Sequence, residues 1–263
     1  KESDSLLLIH DGEKYVQSID VLTIDFQCVN VFAKDVNNDN NADLIFTGLK
    51  EEKYFLFVFV NNNGKFEQLG ENIELNGVPN NIQFSDVNND EINDFIMSYN
   101  NKVEVAVDEG ENKYKYINNY LPVQSTSISS FCINDFDNDF DNDFIILSQN
   151  GQDEMLINDG FGYFFNTTYS SMPYDYSKGA DIICKDIDID GFVDIVVAND
   201  GFVNRLYKNN QKGGFYDITP SLDTKISQST FVTLNDIDND KDEDVIFYDK
   251  LNGLQIYLLT DEK

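Results

Sequence analysis

Tryptophan is absent from this 263-residue sequence, and histidine, methionine, cysteine and proline number only one, three, three and four. Without tryptophan there is no WD dipeptide, and no kelch double-glycine pattern replaces it. The single histidine, His10, closes a strand-like run beside a turn and reads as an exposed turn residue. No zinc triad, nucleophile elbow or phosphate-cradling glycine loop is present. There is no run of eighteen apolar residues, secretory signal or lipidation motif, so membrane insertion is not expected. The first residues, Lys1, Glu2 and Ser3, read as a mature or trimmed end. Basic residues are also few: 18 against 48 acidic ones, for a formal net charge of −30. That balance argues against nucleic acid or an anionic membrane as a direct partner.

The abundant residues are Asp and Asn, and they recur with a period. Five nine-residue loops begin at Asp35, Asp86, Asp135, Asp186 and Asp236, spaced 51, 49, 51 and 50 positions apart. A period near fifty with one ligand-rich loop per unit indicates a repeat architecture. Positions 1, 3, 5 and 9 of every loop carry Asp or Asn. These are Asp35, Asn37, Asp39 and Asp43; Asp86, Asn88, Asp90 and Asp94; Asp135, Asp137, Asp139 and Asp143; Asp186, Asp188, Asp190 and Asp194; and Asp236, Asp238, Asp240 and Asp244. Position 7 varies (Asn41, Ile92, Asp141, Phe192, Asp242), as a backbone-carbonyl ligand allows.

Hard oxygen donors on a flexible loop suit Ca²⁺, with about five ions expected; Mg²⁺ demands a stricter octahedron. An EF-hand is ruled out at position 12, where it needs Glu. Here Phe46, Met97, Ile146, Val197 and Phe247 stand there instead. Solvated Asx turns are the bland alternative. Loops one and two, with Asn at position 3, are expected to bind more weakly than the carboxylate-rich third and fifth.

The loops hold 22 of the 48 acidic residues. Five Ca²⁺ would reduce the charge from −30 to about −20, so folding and metal binding should be coupled. At ~1 mM Ca²⁺ and a Kd of ~0.1 mM, each site adds roughly 1.4 kcal/mol. Cys28, Cys132 and Cys184 lack metal-ligand spacing. Cys132 and Cys184 stand three and two residues before their loops and so point to opposite strand faces. All three are read as buried free thiols.

Each loop is followed by an apolar run suited to a strand covered on both faces, such as residues 44–46 and 144–147. Aligned on the loops, each unit shows four strands. Strand A (29–34 in the first unit) precedes the loop and strand B (44–47) follows it. Strand C comes next (54–60, 103–107, 154–157, 204–207 and 254–259), and a Gly/Asn turn leads to a variable strand D. Four short antiparallel strands per unit describe a β-propeller blade. The expected fold is therefore an all-β propeller over residues 1–263.

Residues 186–219, and the segment 155–165 with its Asn-Asp-Gly-Phe-Gly turn, resemble the FG-GAP/VCBS repeat of integrin α-chain heads and secreted propellers. The full Phe-Gly…Gly-Ala-Pro signature is missing. The likeness is therefore to the wider group that includes T-cell immunomodulatory protein-like proteins. The resemblance implies Ca²⁺-binding blades, seven to a ring. Residues 6–12 are in phase with strand C, which would close five blades but repeat that strand. The chain is read as a fragment of a longer ectodomain.

In the resembling integrin heads, partners engage mainly the face away from the metal loops. This implies a protein or glycan partner at the D-to-A connections near 76–83, 120–128, 166–180 and 220–229. Tyr114, Tyr116, Tyr120, Tyr163, Phe164, Tyr169, Tyr174 and Tyr176 cluster there and read either as contacts or as inter-blade packing. Asn166 begins an N-glycosylation sequon. The expected role is extracellular, cell-surface or lumenal recognition, adhesion or scaffolding without catalysis, with membership of a larger surface complex allowed. The runner-up is a carbohydrate-active enzyme or lectin-like propeller.

Overall fold

The computed structural model describes residues 8–10, 15–17, 22, 24–37, 39–110, 113–117, 121–122, 127–222 and 225–258. The chain divides into two compact units, residues 1–79 with 107–115 and residues 80–106 with 116–263.

Among the described residues of residues 1–79, β1 (Leu8–His10) and β2 (Tyr15–Gln17) form an antiparallel hairpin. β1 falls within the strand expected around residues 6–12. A five-stranded sheet follows, with β3 (Gln27–Lys34), β4 (Asp43–Lys50), β5 (Lys53–Asn62), β6 (Lys65–Gln68) and β7 (Ile73–Leu75). Its order is β3-β4-β5-β6, and β7 pairs with the other end of β5. Phe46, Phe57 and Phe59 form its core, and Phe26 stacks on Phe57 with centroids 3.7 Å apart.

The next sheets repeat one antiparallel order. β8 (Asn81–Ser85), β9 (Asp94–Tyr99), β10 (Lys102–Asp108) and β11 (Tyr114–Tyr116) make the first. β12 (Ile128–Asn134), β13 (Asp143–Ser148), β14 (Glu154–Asn158) and β15 (Phe164–Asn166) make the second, followed by α1 (Thr168–Ser171). β16 (Gly179–Lys185), β17 (Asp194–Val203), β18 (Arg205–Asn209) and β19 (Phe215–Asp217) lead through a 3₁₀ turn (Thr219–Leu222) to β20 (Ile226–Asn235), β21 (Asp244–Asp249) and β22 (Gly253–Tyr257). These last strands form one seven-stranded sheet, because the outer end of β17 pairs with the start of β20. The described chain is thus all-β with repeated four-stranded antiparallel sheets.

The strands after the loops behave as their apolar runs require. Every residue of β9 and β13 is buried. On β17, side-chain alternation feeds two cores. Ile195 and Val197 join Cys132, Phe136, Ile145 and Met155, whereas Val196 and Ala198 join Leu206, Val232, Val245 and Phe247. A strand apolar at successive positions is what this sandwiching between neighbours demands.

Two cysteine expectations are corrected. Cys132 on β12 and Cys184 on β16 form a disulfide, with Cα atoms 6.2 Å apart. The strands belong to consecutive sheets packed face to face, so side chains on opposite faces of their own sheets meet in between. The opposite parity that argued against pairing is what permits it. Cys28 is free but exposed rather than buried.

Candidate metal centres

All five acidic loops fold onto one hydrogen-bond skeleton. The position 9 carboxylates, Asp43, Asp94, Asp143, Asp194 and Asp244, are buried at the start of the following strand. Each accepts the backbone N–H of position 2: Val36 (2.9 Å), Val87 (3.0 Å), Phe136 (3.0 Å), Ile187 (3.3 Å) and Ile237 (2.8 Å). In loops one, three and four the second oxygen accepts a strand-C N–H at 2.8 Å, from Asn61, Asn158 and Asn209. Position 9 therefore ties the loop to the far strand.

Position 1 closes the loop. Asp35, Asp86, Asp135 and Asp186 each receive the N–H groups of positions 5 and 6, and Asp236 receives that of Lys241. The position 5 carboxylates, Asp39, Asp90, Asp139, Asp190 and Asp240, each cap the N–H of position 7, which belongs to Asn41, Ile92, Asp141, Phe192 and Asp242. So many turns in nine residues require left-handed backbone. Positive φ occurs at position 4 (Asn89, Asn138, Ile189, Asn239) and position 6 (Asn40, Glu91, Phe140, Gly191, Lys241). Asn tolerates that region, whereas a β-branched Ile189 at φ 59° is a genuine outlier.

The donors converge. In loops three, four and five, oxygens of positions 1, 3 and 9 lie within 4.8 Å of one another: Asp135, Asp137 and Asp143; Asp186, Asp188 and Asp194; Asp236, Asp238 and Asp244. Asp137 Oδ1 and Asp236 Oδ1 are buried without any hydrogen-bond partner. An orphaned carboxylate oxygen beside other carboxylates is a mismatch that a hard cation corrects, so the residues present fit Ca²⁺. Loops one and two carry Asn at position 3. Asn37 and Asn88 turn their amides onto the position 5 carboxylates Asp39 and Asp90, at 3.2 and 3.0 Å. In loop four, Lys208 bridges Asp188 and Asp190, placing an ammonium among the donors.

Electrostatics registers the same crowding. Burial, opposed by two backbone hydrogen bonds and reinforced by Asp137 and Asp139, pushes Asp143 up to about 7. Burial likewise raises Asp194 to about 6, and burial with the neighbouring Asp139 raises Asp137 to about 6.

The comparisons with known proteins fall on this region. Residues 186–247 match the FG-GAP-like repeat. The matched repeat runs from loop four through β17, β18, β19 and β20 to loop five and into β21. No curated protein sequence matches the chain. Among solved structures, a lectin of Agrocybe aegerita, described as recognising non-reducing terminal N-acetylglucosamine, aligns with a TM-score of 0.58. The alignment covers 92% of this chain and 68% of the lectin at 15% identity, which is a likeness of fold.

The aromatic candidates separate. Phe164 is buried and stacks on Phe144 at 4.5 Å, so it belongs to packing. Tyr114 and Tyr116 are half-buried, and Tyr120 lies outside the described residues. Tyr163 is exposed. Tyr169, Tyr174 and Tyr176 are 90%, 80% and 62% exposed. Buried Asp175 and Ser177 alternate with the last two. Asp175 accepts from Tyr207 Oη (2.8 Å), Ser177 Oγ (2.8 Å) and Arg205 Nε and a terminal guanidinium nitrogen (both 3.2 Å). The Gln152 side chain braces Pro173 O and Asp175 N from below. Two tyrosines are thus exposed on an anchored segment without regular secondary structure, in the connection the sequence had marked as a loop. The D-to-A connections also contain α1, the 3₁₀ turn and the first residues of β8 and β20.

Proposed function

We propose that the chain is a calcium-binding module of FG-GAP-type β-propeller blades acting in recognition outside the cell. The observation that supports it best is the buried, partnerless oxygen on Asp137 and on Asp236 inside a loop skeleton repeated five times. Ca²⁺ bound there would supply charge neutralisation and fix each loop. Asp135, Asp137, Asp139 and Asp143, and their equivalents, would hold it. The Cys132–Cys184 disulfide is in keeping with an oxidising compartment, where Ca²⁺ is also plentiful. Asn166 of the sequon is exposed at the end of β15.

The deciding experiment is calcium calorimetry with thermal unfolding in 2 mM Ca²⁺ and in EDTA. Several bound ions and a large upward shift support this reading. Heatless titration and superimposable melts would reduce the loops to solvated turns.

A glycan is the partner class favoured by the anchored Tyr174–Tyr176 segment, because an exposed aromatic face stacks on a sugar ring with little ordering cost. The acidic surface points to neutral rather than anionic sugars. A glycan array probed with wild type and with Tyr174→Ala/Tyr176→Ala tests this. Glycan binding by the wild type that the double variant lacks, at unchanged melting temperature, supports it. Equal binding by both moves recognition elsewhere.

A further inference from the structure

We infer that neighbouring calcium loops are coupled through two positioning residues, Asn158 and Asn209, so that filling one loop tightens the next. The inference rests on the calcium reading above. Asn209 stands at the end of β18 and is 2% exposed. Its N–H binds Asp194 of loop four, and its side-chain amide donates both to Val193 O of loop four (3.2 Å) and to Phe136 O of loop three (2.9 Å). Its carbonyl oxygen accepts the N–H of Gln211. Its backbone N–H, both side-chain N–H groups and its side-chain oxygen are engaged, and it spans two acidic loops.

Asn158 repeats this one unit earlier. Its N–H binds Asp143 of loop three, and its amide donates to Asn142 O (3.2 Å) of loop three and Val87 O (2.8 Å) of loop two. Phe136 and Val87 are the position 2 residues whose own N–H groups hold the preceding loops' position 9 carboxylates, Asp143 and Asp94. A short hydrogen-bonded path therefore joins the buried carboxylate of one loop to that of the next.

Further contacts reinforce it. Asn142 of loop three donates to Asp86 O of loop two (3.1 Å), Asn89 of loop two donates to the Asp141 carboxylate, and Asn138 of loop three reaches Gly191 O of loop four (3.4 Å). At Gly213, in the turn after Asn209, a Cβ would stand 3.1 Å from Cβ of Asp137, so that turn lies close against a candidate loop-three ligand. A cation that fixes loop four fixes Asn209, and Asn209 then presents loop three with an ordered partner. The second ion meets a loop already positioned, which is coupling through shared order and is reciprocal.

The test follows Ca²⁺ occupancy of loop three by its backbone amide NMR signals. The proteins are wild type, Asp186→Ala/Asp188→Ala, Asn209→Ser and the combined variant. Disabling loop four should weaken Ca²⁺ at loop three at least about fivefold, and in the Asn209→Ser background the same change should have less than about a twofold effect. Asn158→Ser asks the same of loops two and three, should Asn209→Ser fail to fold. Coupling is overturned if loop three keeps its affinity when loop four is disabled, or if the effect persists without the asparagines. No Ca²⁺ entering any loop overturns the calcium reading itself, a result distinct from ions entering independently.

Discussion

Asp143 makes two backbone hydrogen bonds from a fully buried position, and that double engagement makes it intolerant of its nearest isostere. In Asp143→Asn an amide nitrogen must face an N–H donor. The substitution should cost about 2–3 kcal/mol in EDTA, read by urea unfolding, beyond any loss of metal. Ile189 makes the converse case. Its positive φ is strain that Asn would tolerate, so Ile189→Asn should stabilise the EDTA-treated protein by about 1 kcal/mol. An unchanged midpoint would show that the loop relaxes without help. Lys208 competes for the donors of loop four, so Lys208→Gln should raise Ca²⁺ affinity there several-fold in calorimetry. At this scale the repeated loops were legible, because Asp and Asn recurring at fixed spacing impose the same turns and the same buried position 9 carboxylate each time. The staples were not, since Asn158 and Asn209 sit where turn-forming asparagines are commonplace.

Among the elements, the strands following the loops were the most legible. Unbroken apolar runs such as Ile195–Ala198 can be satisfied only between two covered faces, and β17 feeds two cores accordingly. Strand C was placed to within a residue or two, as in β14 and β22. The disulfide was misread because within-strand alternation describes one sheet, whereas Cys132 and Cys184 meet between two. It closes a 52-residue separation, for which the chain-entropy model gives about 4 kcal/mol of stabilisation. Cys132→Ser/Cys184→Ser should therefore lower the melting temperature clearly, and wild type under reductant should match it. Equal melts of variant and oxidised wild type would remove the bridge from the account.

For the whole molecule, rising pH and added Ca²⁺ are expected to act in opposite senses. Without metal, Asp143, Asp137 and Asp194 hold protons in the folded state that they lose when unfolded, between the ordinary 3.8 and about 7. The folded state binds more protons across that window, so stability falls as pH rises through it. Asp25 and Asp200, held down by lysine partners, act oppositely but only below the ordinary carboxylate value. The EDTA-treated protein should thus melt higher at pH 5 than at pH 7.5. The shift produced by Ca²⁺, which needs the ionised carboxylates, should be larger at pH 7.5. An EDTA melt that rises with pH would contradict this balance.

The Cys132–Cys184 bridge also matters when the chain is pulled from its ends. Force passes through the sulfur bond and leaves the intervening residues slack, hiding roughly 180 Å of contour length, at up to about 3.5 Å per residue. Loop three lies wholly inside that shielded stretch, and loop four begins just beyond Cys184. Tension would therefore reach loop four while loop three stayed unloaded, making the bridge a mechanical shunt around one acidic loop.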